Sequence, residues 1–181
     1  MASVSKNEMQ ATISKILQET PITDVHTHIY PASFGKILLW GVDELITYHY
    51  LIAETFRYVD MPYEKYFAMP KQAQADLIWK TLFIDRSPIS EAHRGVLTVL
   101  SKLGLDVASR DLGKFRKYFE SKSVDEYMDI VFQTANVKEV VMTNDLFNPD
   151  EFAVWQSNPQ MDKRFHAALR IDPLLNLNEG A

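Results

Sequence analysis

Three apolar, β-branched stretches separated by helical patterns constrain most strongly what this chain can fold into. The stretches are 22–30, 137–145 and 165–175, and helix-like periodicity fills most of the sequence between them. Strands that alternate with helices are joined by right-handed crossovers and form a parallel sheet. We therefore predict an α/β fold in which 1–181 form a single domain and 31–136 form a large helical insertion after the first strand.

Capping signals mark where several of the helices begin. Ser5 and Glu8 have capping-box spacing, as do Ser123 and Glu126, and Asp43 is placed to cap a third helical pattern. The apolar residues that follow the first box recur at helical spacing: Met9, Ile13, Ile16 and Leu17. This spacing predicts an N-terminal amphipathic helix whose apolar face packs on something larger.

The composition argues against several kinds of partner and site. The formal net charge is -5, and no block of like charges occurs, which argues against a nucleic-acid or membrane-surface partner and favours a small molecule. There is no cysteine, so a metal would be held by His, Asp or Glu. The sequence shows neither a signal-peptide pattern nor an apolar stretch near the roughly 18 residues that span a bilayer. We therefore predict a cytoplasmic protein.

Acidic and basic residues occupy every second position at the end of the first predicted strand. In a strand, Asp24, His26 and His28 would project to the same side. Burying three unpartnered polar side chains costs about 1 to 3 kcal/mol each. Two imidazoles at i and i+2 can instead bind one divalent metal, with the acid orienting a ring. The pattern indicates a metal site; the alternative is a strand end where the histidines bond to neighbours or solvent.

The other two predicted strands also end in polar residues. Asn144 and Asp145 close the second strand, and Arg170 and Asp172 close the third. Ligands of parallel α/β folds bind at the carboxyl edge of the sheet, so we predict that these side chains line a binding site. For an anionic ligand, arginine side chains would have to supply local attraction against the negative net charge. For each pair taken alone, a loop cap or a solvated salt bridge is the alternative.

Four stretches resemble the amidohydrolase superfamily of metal-dependent (β/α)8 barrels, and within it most closely the uronate isomerases and their relatives. They are ITDVHTHIYP, DELITYHYLIAE, VVMTNDLFNPDEFAVW and ALRIDPLL. The likeness spans most of the chain. It implies an incomplete TIM-type (β/α)8 barrel, of which this chain holds the first three parallel strands and a large helical insertion after strand 1.

The resemblance also implies a metal site and a catalytic pair. His26 and His28 would be ligands of a divalent metal, with zinc as the first candidate. His49 and Tyr50 would reach the sugar from the insertion and assist proton transfer. The alternative for Tyr50 is a core position on an aromatic helix face, and His49 has the same alternative.

The substrate of such an enzyme is an anionic sugar or another carboxylic acid. The resemblance implies that Arg170 binds its carboxylate, which suits a guanidinium because the planar fork matches a carboxylate with two parallel hydrogen bonds. Asp145 and Asp172 would line the same site. We interpret His93 and His166 as structural.

Two features depart from the uronate isomerase pattern. Glu54 stands one helical turn beyond the His49–Tyr50 pair, where those enzymes have a basic residue. The family also completes its metal shell from later strands, whereas this sequence supplies three strands of the eight in a barrel. We expect the 181 residues to be the N-terminal part of a longer enzyme, a truncated product, or part of an assembly such as a homo-oligomer.

The leading functional hypothesis is aldose–ketose isomerisation of a hexuronate through an enediol. A second hypothesis keeps the metal and changes the reaction to hydrolysis or decarboxylation by metal-bound hydroxide, because a shared fold does not fix the chemistry. A third is a catalytically incomplete remnant or interaction module that binds partners through the helical insertion.

Overall fold

The computed structural model describes residues 5–27 and 29–176, where helices and three short strands follow one another along the chain. The helices are α1 (Lys6–Glu19), α2 (Val42–Ile46), α3 (His49–Thr55), α4 (Tyr63–Phe67), α5 (Lys71–Ile78), α6 (Glu91–Lys102), α7 (Leu112–Glu120), α8 (Val124–Ala135), α9 (Pro149–Gln156) and α10 (Asp172–Leu175). The strands are β1 (Ile22–Asp24), β2 (Val137–Val141) and β3 (Phe165–His166). Two 3₁₀ helices, Ala32–Ile37 and Val107–Ser109, and a π-helical turn, Trp79–Ile84, complete the elements.

The chain divides into two compact units. The strand unit comprises the described residues of Met1–Leu38 and Met128–Ala181, and it holds all three strands. The helical unit, Leu39–Tyr127, contains helices and loops. The single domain 1–181 with an insertion at 31–136 stays a prediction.

The three strands form one parallel sheet in the order β1-β2-β3, which confirms the predicted fold class. Glu139 on the central strand links both neighbours: the Thr23 hydroxyl donates to its Oε1 at 2.8 Å, and Nε2 of His166 lies 3.0 Å from its Oε2. These two hydrogen bonds, the Thr23 bond first, lower the pKa of the Glu139 carboxyl. The sheet therefore carries a polar cross-strand chain on its exposed side.

The first strand is shorter than predicted, because it ends at Asp24 rather than near residue 30. The Asp24 Oδ1 accepts the backbone N–H of His26 at 3.0 Å, and the Thr27 hydroxyl accepts that of Ile29 at 3.1 Å. Such local side-chain bonds offer the backbone an alternative to the sheet ladder. The prediction that a continuous strand places Asp24 and His26 on one face was wrong, and His28 lies outside the described residues.

The second and third strands are also shorter than predicted, yet their pairing extends beyond their ends. Backbone N–H groups of Met142 and Asn144 donate to His166 and Ala168, and that of Arg170 donates back to Asn144, each at 2.8 Å. The prediction that the third strand continues beyond Arg170 was wrong, because α10 begins at Asp172. A proline in its first turn cannot donate to a ladder but suits a helix start.

Both predicted capping boxes are confirmed. Ser5 Oγ accepts the Glu8 backbone N–H at 3.3 Å while Oε2 of Glu8 accepts the Ser5 N–H at 2.9 Å. Ser123 and Glu126 form the same pair of bonds at the start of α8. No residue of α1 is buried by the described part of the chain, so the packing of its apolar face on something larger stays a prediction. The observed attachment is polar: the Asn136 amide donates to two carbonyl groups at the end of α1.

The helix predicted to start at Asp43 is broken into α2 and α3, and Gly41 rather than Asp43 is its N-cap. Thr47 donates its hydroxyl to the Asp43 carbonyl at 2.8 Å, and Tyr48 is extended, which ends one helix and starts the next. The Asp43 carboxylate is engaged elsewhere, since Nε of Arg116 donates to it at 2.9 Å. This ion pair ties α7 to α2.

The core of the helical unit draws side chains from every helix between α2 and α7. At its centre Trp79 stacks on Phe83 with ring centroids 4.4 Å apart and meets the edge of Phe115 at 5.7 Å. The Trp79 indole N–H donates to the Arg110 carbonyl at 3.0 Å, so its one polar atom is satisfied. No helix in residues 5–27 and 29–176 is long and apolar enough to cross a membrane.

A buried histidine in the helical unit leads us to expect that the stability of this unit depends on pH. His93 is 5% exposed, and its Nε2 lies 3.1 Å from Oε2 of Glu54. Burial lowers the pKa of His93 below its usual 6.5, and the charge of Glu54 partly offsets this. The unfolded chain therefore takes up the proton first as the pH falls. We expect the free energy of unfolding to decrease below pH 6.5, by at most about 1.4 kcal/mol per pH unit for one linked proton.

Urea denaturation at pH values from 8 to 5 measures this dependence. His93→Gln removes the titrating ring, so its stability should change less than that of the wild type across the same range. An unchanged slope in that variant would contradict the assignment to His93.

Candidate active site

An arginine and two acids lie close together at the carboxyl edge of the sheet, as the sequence predicts. Nε of Arg170 donates to Oδ2 of Asp172 at 2.9 Å, and both side chains are more than half exposed. The hydrogen bond to Asp172 and its charge raise the pKa of the Arg170 guanidinium, and the charge of Asp145 adds to this. The same bond lowers the pKa of the Asp172 carboxyl. The edge thus presents an accessible cation flanked by carboxylates.

Besides lying near Arg170, Asp145 forms hydrogen bonds that shape the loop after β2. Its Oδ1 accepts the backbone N–H of Phe147 at 3.0 Å, and its own N–H donates to Oε2 of Glu151 at 3.0 Å. These bonds turn the chain from the strand end into α9. Asp145 is therefore held through its backbone N–H and through one carboxylate oxygen, and its charge also acts on Arg170.

A buried carboxylate lies directly behind this edge. Glu151 is 4% exposed and its Oε1 accepts from Nδ2 of Asn144 at 2.7 Å and from Nε1 of Trp155 at 3.3 Å, in addition to the Asp145 bond. The Tyr30 hydroxyl donates to the same carboxylate, and burial followed by the charge of Glu151 raises the pKa of Tyr30. A carboxylate with this many donors can be buried without a counter-ion.

Tyr30 also helps to pack the segment after β1 against α9. Its ring stacks on Phe34 with centroids 5.3 Å apart, and Phe34 meets the edge of Trp155 at 5.2 Å. Sequence reasoning missed Tyr30 and Glu151. The available signal was Asn148 in the helix-start pattern NPDE, because that cap accepts the backbone N–H of Glu151 and fixes the first turn of α9.

The candidate metal ligands are only partly described. His26 is exposed just beyond β1, next to the half-buried Asp24, and His28 lies outside the described residues. In the part of the chain that the structure describes, no group of three or more His, Asp or Glu side chains could hold a metal ion. The His26 imidazole and the neighbouring Asp24 carboxylate are donor types that zinc accepts, and other groups would have to complete the shell.

His49 and Tyr50 open α3 in the helical unit. Both are exposed, Tyr50 to 58%, so the alternative that Tyr50 is a core residue was wrong. Their rings lie 4.2 Å apart, and Tyr48 packs against both. Tyr50 lines an open cleft of about 850 Å³ between α3 and α6, which it shares with Glu54. The side chains of His49 and Tyr50 are thus both accessible to a ligand.

Comparison with solved structures finds a close relative. A uronate isomerase from Bacillus halodurans C-125 matches 98% of this chain at 52% sequence identity with a TM-score of 0.93. The chain spans 42% of the length of that enzyme, and the matched part is an N-terminal portion of it. No protein-family model and no curated protein matches the chain. The resemblance and the partial barrel predicted from the sequence are confirmed by this match.

Proposed function

We propose that this chain forms part of a metal-dependent isomerase that interconverts the aldose and ketose forms of a hexuronate. The observation that carries this proposal is an accessible arginine at the carboxyl edge of the sheet, in a chain this similar to a uronate isomerase. A cytoplasmic location and self-association are further parts of the proposal.

Arg170 would bind the sugar carboxylate. Asp172 occupies its Nε, so the two terminal nitrogens can form the fork that a carboxylate fills. The neighbouring Asp172 and Asp145 would accept hydrogen bonds from sugar hydroxyls and repel a second carboxylate. This arrangement selects a sugar with one acidic end and fixes the direction of its carbon chain.

The opposite end of the sugar is where the reaction takes place. Isomerisation moves a proton between adjacent carbons through an enediol, and His49 or Tyr50 would assist that transfer as acid or base. His26 and His28 would hold a divalent cation, with zinc as the first candidate, which polarises carbonyl or hydroxyl oxygens when bound. The remaining ligands and the principal base would come from outside this sequence.

A panel of substrates tests the reaction class. The purified protein would be assayed alone and together with the part of the Bacillus halodurans enzyme that it does not match. Appearance of a ketose from D-glucuronate or D-galacturonate, with no turnover of lactones or amides, is the expected result. Turnover of lactones or amides alone would favour a hydrolase, and no turnover or hexuronate binding in either arrangement would contradict an enzymatic role.

Metal content tests the histidine pair. We expect about one equivalent of zinc after loading and dialysis, and we expect the His26→Ala, His28→Ala double variant to lose at least about 90% of it, because each imidazole is a direct ligand. His166→Ala is the matched control, since this exposed histidine hydrogen-bonds to Glu139 at the sheet. Equal metal content in all three proteins, measured by plasma emission, would refute the assignment.

A further inference from the structure

We propose that Glu151 is a positioning residue that fixes the end of β2, and through it Arg170, at the candidate site. This inference rests on the proposed function for the role of Arg170. Glu151 is 4% exposed and does not belong to the rim of Arg170, Asp145 and Asp172, so it would act through its neighbours. Its donors come from three separate places: Tyr30 after β1, the end of β2, and α9.

Asn144 is the connection between Glu151 and the third strand. It is 2% exposed, and its backbone exchanges two hydrogen bonds with the β3 extension: its N–H donates to Ala168 and its carbonyl accepts from Arg170. Its side-chain Oδ1 also accepts the Ala168 N–H at 3.2 Å. Three hydrogen bonds from the buried Asn144 thus hold the backbone segment that contains Arg170.

The Glu151 carboxylate determines which way the Asn144 amide faces. Nδ2 donates to Oε1 of Glu151 at 2.7 Å, and this leaves Oδ1 on the side of the Ala168 N–H. A carboxylate only accepts, so the opposite orientation of the amide would set two acceptors against each other. The acceptor-only carboxylate of Glu151 therefore locks the amide, and the locked amide holds the chain after β3 at Ala168, beside the backbone bond from Arg170 to Asn144.

Glu151→Gln tests this inference with little change in volume. The glutamine amide has one carbonyl oxygen where Glu151 has two carboxylate oxygens. In one orientation its NH₂ group faces the Asp145 N–H, and in the other it faces the donors of Asn144 and Trp155. At least one donor therefore loses its acceptor in either orientation. We expect amide hydrogen exchange at Ala168 and Arg170 to accelerate about tenfold or more, while exchange in α7 is unchanged. The Trp155 indole N–H resonance should move because that group donates to the same carboxylate.

Asp150→Asn is the matched control. Asp150 precedes Glu151 in the first turn of α9 and is exposed, so its substitution removes the same charge from the helix start without touching the buried bonds. We expect less than about a twofold change in exchange at Ala168 and Arg170. If this control accelerates exchange as much as Glu151→Gln, the effect belongs to the helix charge and the inference is overturned.

A reciprocal exchange of the two polar groups provides a rescue. In the Asn144→Asp, Glu151→Gln double variant, the glutamine NH₂ donates to the new carboxylate, and its carbonyl still accepts from Asp145. The new carboxylate also still accepts from Ala168. We expect exchange at Ala168 and Arg170 to return to within about threefold of the wild type, whereas Trp155 stays perturbed because its acceptor is lost. A double variant no slower than Glu151→Gln would overturn the pairing.

Substrate measurements separate this inference from the proposed function. If hexuronates are turned over, Glu151→Gln should raise KM more than it lowers kcat, because it displaces a carboxylate-binding group rather than a proton-transfer group. If the wild type binds no hexuronate while exchange responds as expected, the proposed function fails and the positioning of Arg170 stands. Unchanged exchange in Glu151→Gln overturns the inference whatever the activity. If that variant does not fold, Glu151→Asp, which retracts the carboxylate by one methylene, is measured against the same expectations.

Discussion

Arg170→Met is expected to lower kcat/KM for a hexuronate by about 100- to 1,000-fold, with most of the loss in KM. Arg170 is more than half exposed without a ligand, and a bound sugar would cover its guanidinium. Removing one partner of such a desolvated pair costs about 2 to 5 kcal/mol, and each 1.4 kcal/mol is tenfold in affinity. Met keeps much of the length of the side chain and removes the fork. Steady-state kinetics with D-glucuronate and with a neutral aldose would measure the effect, and the neutral sugar should change less than about threefold.

Two further variants show whether the effect belongs to this guanidinium. Arg170→Lys keeps the charge but not the two parallel donors, so we expect an intermediate loss. Arg94→Met removes an exposed arginine from α6 and should leave the kinetics unchanged. An equal loss for the hexuronate and the neutral sugar in Arg170→Met would contradict carboxylate binding, because a group that recognises the acid discriminates between the two.

The order of elements was predictable because it depends on local periodicity and capping. The Ser5 and Ser123 boxes form as predicted, and the three strands are parallel. Strand lengths were not predictable, because β-branched residues favour an extended chain without specifying its partner. Asp24 and Thr27 bind their own backbone instead of continuing a strand. A proline placed the start of α10 inside the third predicted strand.

Some residues of the candidate site were likewise predictable from the sequence, and others were not. Arg170, Asp172 and Asp145 were predictable because they follow strands whose carboxyl ends must share one edge of a parallel sheet. Glu151 was not, because its role depends on four donors from separate segments, and a glutamate in the first turn of a helix is ordinarily a solvated group. The metal pair of His26 and His28 stays a prediction from the sequence.

Phe115→Ala is expected to lower the free energy of unfolding of the helical unit by about 3 to 5 kcal/mol. Phe115 is 1% exposed and meets Trp79 edge to face, so truncation leaves a cavity beside the stacked rings of Trp79 and Phe83. Urea denaturation followed by circular dichroism and tryptophan fluorescence measures the loss. Phe67→Ala makes the same truncation at a position that is 61% exposed and should cost less than about 1 kcal/mol. Similar losses in both variants would mean that burial around Phe115 does not hold this unit together.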